Sequence, residues 1–239
     1  MAQALLQQGS GIELNGSKAD RSHVRTFLRE AGVLPALRTA SVEDALFATE
    51  CLGDAGLPIV EIASGTPGAD RLISEVTKKF VQAIVGAGNV SSSADARACI
   101  EAGARFVSTA ALIPEINELC AKHNVAVVSG AFTPTEIFAA WNAGADMVKV
   151  FPCDAAGGAP YIRSLTSALP EVPILAAGGV TQQTAFGLIA AGATAVAVGQ
   201  ALASQEAIRT RNRNQIQELA RRFLAHVDNG RIEAAGRDR

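Results

Sequence analysis

The sequence has few of the residues that commonly bind metal ions, and those few are scattered. Its four cysteines form no CxxC pair, and its three histidines are as widely spaced as the cysteines. Zinc and related centres draw their ligands from closely spaced cysteine, histidine or acidic residues. We therefore expect no metal site.

Long apolar runs and a strong charge of one sign are also missing. No stretch approaches the ~18 continuous apolar residues of a membrane-spanning helix, and the first residues show no secretory signal. The net charge is only -2, which indicates no polyanionic partner. Arginines gather between residues 209 and 222, but uncharged and acidic residues separate them without aromatics, a pattern typical of a solvated helix. We expect a cytoplasmic protein that binds neither membranes nor nucleic acids.

Apolar residues and glycine, by contrast, are abundant in this chain of 239 residues. Hydrophobic residues make up 49% of it and charged residues 18%, with 22 glycines, a composition typical of a compact α/β enzyme. One pattern recurs: a helix ends at an Ala-Gly pair and a short apolar strand follows. Its copies are AGLPIV, AGARFV, AGADMV and AGATAV, which begin at residues 55, 102, 143 and 191.

Further apolar runs lie between these copies and bring the predicted strands to eight. They are VLPAL (33–37), AIVGA (83–87), VAVV (125–128) and PILAA (173–177). Helical patterns fill the gaps, with Ser41 and Thr133 as predicted N-caps. Alternating strands and helices can form an open doubly wound sheet or a closed barrel, and eight units in about 200 residues without a linker favour the barrel.

We therefore predict an α/β fold, a (β/α)8 TIM barrel with an N-terminal helical arm. Residues 1–20 are expected to form a flexible arm, residues 21–228 the single barrel domain, and residues 229–239 a flexible tail. Barrels of this kind place their catalytic groups at the rim formed by the carboxyl ends of the strands. Charged residues near those strand ends are therefore candidates for catalysis.

Two charged residues interrupt predicted strands that are otherwise apolar. Lys149 lies in DMVKVFPCD, and Glu61 lies in LPIVEIA. Because side chains alternate along a strand, Met147, Lys149 and Phe151 share one face. If the opposite, valine face meets the helices, Lys149 points into the barrel near its catalytic rim. One amine and one carboxyl group are then expected to converge.

The pair of Lys149 and Glu61 has two interpretations. In the first it is a structural ion pair, or one member faces solvent at a strand end, although buried pairs are weak stabilisers that apolar replacements often match. In the second it is catalytic. Burial disfavours the charged form of a lysine and leaves free amine to attack a carbonyl carbon, while a nearby carboxylic acid carries the protons that imine formation requires. The second interpretation explains more and predicts a Schiff-base enzyme.

Glycine-bearing turns follow the last two predicted strands, AAGGVT after strand seven and AVGQAL after strand eight. Glycine lets backbone N–H groups approach an anion, and barrels often bind phosphate between these two loops. A helix predicted to begin near Thr181 strengthens this pattern. We expect a phosphate or a similar anion to bind there.

Several segments, in this order and spacing, resemble the 2-keto-3-deoxy-6-phosphogluconate (KDPG) aldolases and the related 4-hydroxy-2-oxoglutarate (KHG) aldolases. They are VLPALRTASVEDAL, VEIASGTP, VGAGNV, VSGAFTPTEI, VKVFP, AAGGVT and VGQAL, between Val33 and Ala203. The resemblance implies a class I aldolase on a (β/α)8 barrel, usually a homotrimer, without metal or organic cofactor. Its implied substrate is a small 2-keto-4-hydroxy acid, which it cleaves to pyruvate and an aldehyde.

The resemblance also implies roles for particular residues. Lys149 matches the Schiff-base lysine and Glu61 the acid/base glutamate. The positions that match substrate contacts are Arg38, Asn89, Phe151, Gly178, Gly179, Gly199 and Gln200. Of these, Arg38 would meet an anionic group of the substrate. Phe151 would form an aromatic wall beside the imine, although a plain core role at the strand end explains it equally well.

Some positions depart from the family pattern. Five residues differ from the type that the family usually has at the same position. They are Asn89, Ala110, Ser129, Ala177 and Gln200. Because the departures fall on substrate positions and spare the catalytic pair, the resemblance predicts the reaction type better than the particular aldehyde. Two alternatives stay open: a phosphate-sugar isomerase or synthase on the same barrel, which would form no imine, and a non-catalytic barrel that binds a keto acid.

Overall fold

The computed structural model of the protein describes residues 21–39 and 41–237, so the predicted arm of residues 1–20 lies outside the described residues. Its strands form one closed parallel barrel in the order of the sequence. They are β1 (Val33–Leu37), β2 (Ile59–Ala63), β3 (Ile84–Gly88), β4 (Phe106–Ser108), β5 (Ala126–Ala131), β6 (Met147–Val150), β7 (Ile174–Ala177) and β8 (Ala195–Val198). The predicted (β/α)8 barrel is confirmed.

Helices connect consecutive strands and surround the barrel. Those described are α1 (Arg21–Ala31), α2 (Val42–Asp54), α3 (Ala69–Lys79), α4 (Ser93–Glu101), α5 (Pro114–Lys122), α6 (Pro134–Asn142), α7 (Ala159–Ala168), α8 (Gln182–Ala190), α9 (Gln205–Arg209) and α10 (Arg213–Arg237). The predicted caps are confirmed: Ser41 Oγ accepts from the Asp44 backbone N–H, and Thr133 forms a capping box with Glu136. None of the helices in the described ranges has the length and hydropathy of a membrane span.

Strand alternation divides the apolar residues into a barrel interior and a helix-facing layer. Met147 of β6 packs in the interior with Phe106 and Leu175, whereas Val148 and Val150 pack in the layer between the strands and the helices. The predicted two faces of this strand are therefore confirmed. Interior positions of β6 near its carboxyl end consequently point toward the rim where catalytic groups are expected.

Helix α1 closes the amino-terminal end of the barrel. Val24 and Leu28 on its buried face join the interior cluster. Arg21 holds the start of the helix, because its Nε donates to Asp146 Oδ2 at 2.9 Å, and the same carboxylate accepts from the Val127 backbone N–H at 2.8 Å. With this end covered by α1, the carboxyl-terminal rim is the end at which a cavity can open.

Helix α10 extends through Arg237, into the segment predicted to form a flexible tail. Arg231 anchors its last turns by donating to the backbone carbonyls of Arg29, at 2.7 Å, and Glu30, at 2.9 Å. These carbonyls belong to the last turn of α1, which leaves acceptors unpaired within its own helix. The boundary at residue 228 stays a prediction; the anchoring itself could not be predicted, because backbone acceptors far away in sequence leave no pattern in the segment that binds them.

Candidate active site

A cavity of ≈ 450 Å³ opens at the carboxyl-terminal rim of the barrel. Every residue that the sequence analysis selected lines this one cavity: Arg38, Glu61, Asn89, Lys149, Phe151, Gly178, Gly179, Gly199 and Gln200. They come from the ends of β1, β2, β3, β6, β7 and β8 and the turns that follow them. The barrel therefore brings together residues that are far apart in sequence.

Lys149 projects into this cavity from the interior face of β6. Only 4% of the residue is exposed. Its Nζ donates to Ser108 Oγ at 3.0 Å and to Asn89 Oδ1 at 3.2 Å. The ring of Phe151 lies 5.9 Å from the same nitrogen. These three contacts of the amine are all with uncharged groups.

Glu61 reaches the same cavity from the interior face of β2. The residue is 2% exposed, and its Oε2 is buried without a hydrogen-bond partner among the described residues. Lys149 bonds to Asn89 and Ser108 instead, so within the described ranges the two residues form no ion pair. A buried carboxyl group with an unused oxygen is available to exchange protons with a ligand.

Asn89 follows β3 in a left-handed backbone conformation, with φ at 53°. Asparagine adopts this region more readily than most residues, and a β-branched residue adopts it with strain. Ser64 supports the turn, because its Oγ donates to the Asn89 backbone carbonyl at 3.0 Å. The turn directs the Asn89 side-chain oxygen to the amine of Lys149.

The glycine turn after β7 forms one wall of the cavity. Gly178 and Gly179 have φ values of 84° and 78°, which favour glycine. A Cβ atom on Gly179 would lie 2.2 Å from the Cβ of Asp154. Among the described residues, the backbone N–H groups of Gly178, Gly179 and Gly199 donate to no backbone acceptor. The predicted start of a helix at Thr181 is confirmed by its capping box with Thr184.

Gln200 and Arg38 lie at the mouth of the cavity, and both are exposed. The Oε1 atom of Gln200 accepts from the Gln205 backbone N–H at 3.1 Å, so this side chain is attached to the first turn of α9. Within the described part of the chain, the Arg38 guanidinium has no carboxylate partner. A free guanidinium at the mouth can pair with an anionic ligand.

The five departures from the family pattern separate into two groups. Asn89, Ala177 and Gln200 line the cavity. Ser129 faces the helix layer, where its Oγ donates to Asn117 Oδ1 at 2.9 Å, and Ala110 lies outside the cavity lining. Three departures can therefore act on a ligand directly, and two cannot.

The sequence analysis missed Ser108, the partner of Lys149. It stands two residues after Phe106, an interior residue of the same strand. The alternation Phe-Val-Ser was the available signal, because it predicts a hydroxyl on the interior face near the rim. Thr181 and Gln205, which also line the cavity, had no comparable signal.

Other reactive groups near the cavity are unsuited to catalysis or metal binding. Burial, with a contribution from Asp154, raises the pKa of the Cys153 thiol to about 11, so this thiol is protonated at neutral pH. In the described ranges, no group of three or more His, Cys, Asp or Glu residues could hold a metal ion. Lys149 and Glu61 are therefore the candidates for the chemistry of this cavity.

Comparison with known proteins adds a second, independent line of evidence. Residues 24–219 match the family model described as KDPG and KHG aldolase. The chain is 30% identical over 168 residues to the 2-dehydro-3-deoxy-6-phosphogalactonate aldolase of Escherichia coli (strain K12), covering 70% of this chain and 82% of that protein. It is 26% identical over 197 residues to the 2-dehydro-3-deoxy-phosphogluconate aldolase of Haemophilus influenzae, covering 82% and 93%.

A solved structure is similar at the level of the whole fold. The KDPG aldolase of Legionella pneumophila superposes with a TM-score of 0.77 at 25% identity, over 86% of this chain and 98% of that one. That structure contains pyruvate captured as a covalent carbinolamine intermediate.

Proposed function

The chain belongs to the KDPG and KHG aldolase family, and from this premise we propose that it cleaves a 2-keto-4-hydroxy acid through a Schiff base on Lys149. The enzyme is a lyase, as its aldolase relatives are. One observation carries the proposal: a buried amine and a buried carboxyl group with an unpartnered oxygen line the same cavity. The family membership does not favour an isomerase, a synthase or a non-catalytic barrel.

The first half of the reaction forms the imine. The lone pair of neutral Lys149 Nζ attacks C2, the carbonyl π pair moves to oxygen, and Glu61 supplies the proton that this oxygen takes up. The nitrogen then loses a proton, which returns to Glu61 directly or through water. Glu61 protonates the C2 hydroxyl of the carbinolamine, water leaves, and a protonated imine results.

The second half breaks the carbon–carbon bond. The protonated imine is the electron sink for the C3–C4 bonding pair, while Glu61, directly or through water, takes the C4 hydroxyl proton. The aldehyde leaves and an enamine stays on Lys149. Protonation at C3 and hydrolysis of the imine then release pyruvate and regenerate the amine.

For the aldehyde half of the substrate, we favour a phosphorylated sugar acid over 4-hydroxy-2-oxoglutarate. Gly178, Gly179 and Gly199 present backbone N–H groups without backbone acceptors in the described structure, and such groups bind phosphate well. Gln200 is attached to α9, which leaves room for the anion. Arg38 adds a guanidinium at the mouth. The aldehyde product would then be glyceraldehyde 3-phosphate.

We also propose a homotrimer in the cytoplasm. Two aromatic side chains, Phe132 and Phe138, are 38% and 52% exposed, and exposed aromatics are typical of surfaces that another subunit covers. The four cysteines are free thiols, which suits a reducing compartment. Light scattering coupled to size-exclusion chromatography measures the subunit number directly, and a monomer would contradict the trimer.

Trapping the imine tests the proposed function. We expect sodium borohydride to reduce the adduct between pyruvate and the protein, and peptide mass spectrometry to locate the added mass on Lys149. Lys149→Met is the control and should take up no label. Labelling at Lys78, Lys79 or Lys122 instead of Lys149 would contradict the assignment.

A further inference from the structure

The hydroxyl of Ser108 lies directly beside the amine of Lys149, although Ser108 is not among the residues that line the cavity. Ser108 is fully buried, with 0% of the residue exposed. A buried hydroxyl needs a hydrogen-bond partner, and among the described residues the only partner of this hydroxyl is Lys149 Nζ at 3.0 Å. The next hydroxyl along the chain, on Thr109, instead accepts from the Gly130 backbone N–H. Among the described residues, the Ser108 hydroxyl therefore makes no hydrogen bond to the backbone of a neighbouring strand, as the Thr109 hydroxyl does.

Lys149 Nζ has hydrogen-bond acceptors on two neighbouring segments. A neutral primary amine has two N–H bonds and one lone pair, whereas an ammonium group has three N–H bonds to satisfy. Within the described structure the nitrogen has two acceptors, Ser108 Oγ and Asn89 Oδ1. In the neutral form that attacks a carbonyl carbon, these two acceptors can take both N–H bonds. The lone pair then lies along the remaining tetrahedral direction on the nitrogen.

The positions of the two acceptors in the barrel determine the direction of the lone pair on Lys149 Nζ. Ser108 is on β4, and Asn89 directly follows β3, so both acceptors lie on the same side of the barrel. The opposite side of the cavity is lined by Ala36, Ala177 and Gly199, at the ends of β1, β7 and β8. We infer that the remaining direction on the nitrogen faces the cavity.

We propose that Ser108 is a positioning residue that, together with Asn89, orients the lone pair of Lys149 toward the substrate carbonyl. The proposal rests on the proposed function, because it assumes that Lys149 is the nucleophile. Ser108 itself exchanges no proton and forms no covalent bond. Removing its hydroxyl frees one N–H bond and lets the amine rotate away from its attacking orientation, and such misplacement slows a reaction without weakening substrate binding in proportion.

The test compares the rate of imine formation in wild type and in Ser108→Ala, measured by rapid quenching with borohydride over a range of pyruvate concentrations. We expect the limiting rate at saturating pyruvate to fall roughly 10- to 100-fold, while the half-saturating pyruvate concentration changes less than about threefold. Ser108→Thr keeps the hydroxyl and should recover most of the rate. A Ser108→Ala protein that forms the imine at the wild-type limiting rate would overturn the proposal.

A matched control separates positioning from stability. Thr49→Val also removes one buried hydroxyl, which in wild type donates to the Ala45 carbonyl within α2, far from the cavity. It should lower the melting temperature as much as Ser108→Ala does and leave imine formation unchanged. Equal rate losses in the two variants would overturn the positioning role. If wild type itself traps no pyruvate on Lys149, the proposed function fails; if wild type traps it and Ser108→Ala does so equally fast, only the role of Ser108 fails.

Discussion

The carboxyl group of Glu61 occupies the space that a side chain on Gly88 would fill. A Cβ atom placed on Gly88 would lie 2.1 Å from Glu61 Oε1. Two residues earlier on the same strand, a Cβ atom on Gly86 would lie 2.3 Å from the ring of Phe106. The alternate glycines of β3 therefore make room inside the barrel for side chains from the neighbouring strands. This explains in physical terms why Gly-Ala-Gly stands at this point of the sequence.

Gly88→Ala should displace the Glu61 carboxyl group and reduce kcat for aldol cleavage by at least roughly tenfold, because a shift of about 1 Å in a catalytic group is costly. Steady-state cleavage rates measure this effect. Gly53→Ala in α2 is the matched control, since a Cβ atom there would meet nothing within 4 Å. The control should keep full activity and gain stability. A fully active Gly88→Ala enzyme would show that Glu61 tolerates the displacement.

Glu61→Gln tests the acid/base role without changing the shape of the side chain. We expect the fold to be retained and cleavage to slow by about 10²- to 10⁴-fold, the range typical of a lost general acid/base. Circular dichroism checks the fold, and coupled detection of pyruvate measures the rate. If Glu61→Gln cleaves its substrate at the wild-type rate, Glu61 has a structural role instead.

The sequence predicts the features of this molecule that follow from alternation and local patterns. Strand order could be predicted because apolar strands and helical patterns alternate along the chain. The inward direction of Lys149 could be predicted because apolar residues alternate regularly along β6. The pairing of Lys149 with Ser108 could not, because it depends on which interior side chains meet across the barrel. The helical C-terminus could not either, because Arg231 binds backbone carbonyls that any sequence at the end of α1 would present.

Arg231→Met should destabilise the protein by about 1.5–3 kcal/mol, the range for hydrogen bonds made by a charged group. It removes the bonds to the carbonyls of Arg29 and Glu30 and separates α10 from α1. Urea unfolding measures the free energy. Arg222→Met on the same helix is the matched control, because Arg222 pairs with Glu218 at the surface and its side chain is 55% exposed, and it should change stability little. Equal losses in both variants would contradict the anchoring role.

The last prediction concerns Gln200, where the family resemblance implies a smaller residue, and whether its side chain obstructs the proposed phosphate site. Its Oε1 accepts from the Gln205 backbone N–H at 3.1 Å, which attaches the side chain to α9, away from the proposed phosphate site at the glycine turns. We expect wild type to cleave the phosphorylated sugar acid with a higher kcat/KM than 4-hydroxy-2-oxoglutarate. Gln200→Ser should change the ratio of the two values less than about threefold, since glutamine does not obstruct the anion and its amide can itself donate. Gln217→Ser on α10 controls for the exchange of glutamine for serine away from the cavity. A wild-type preference for the unphosphorylated acid that Gln200→Ser reverses would show that Gln200 closes the phosphate site.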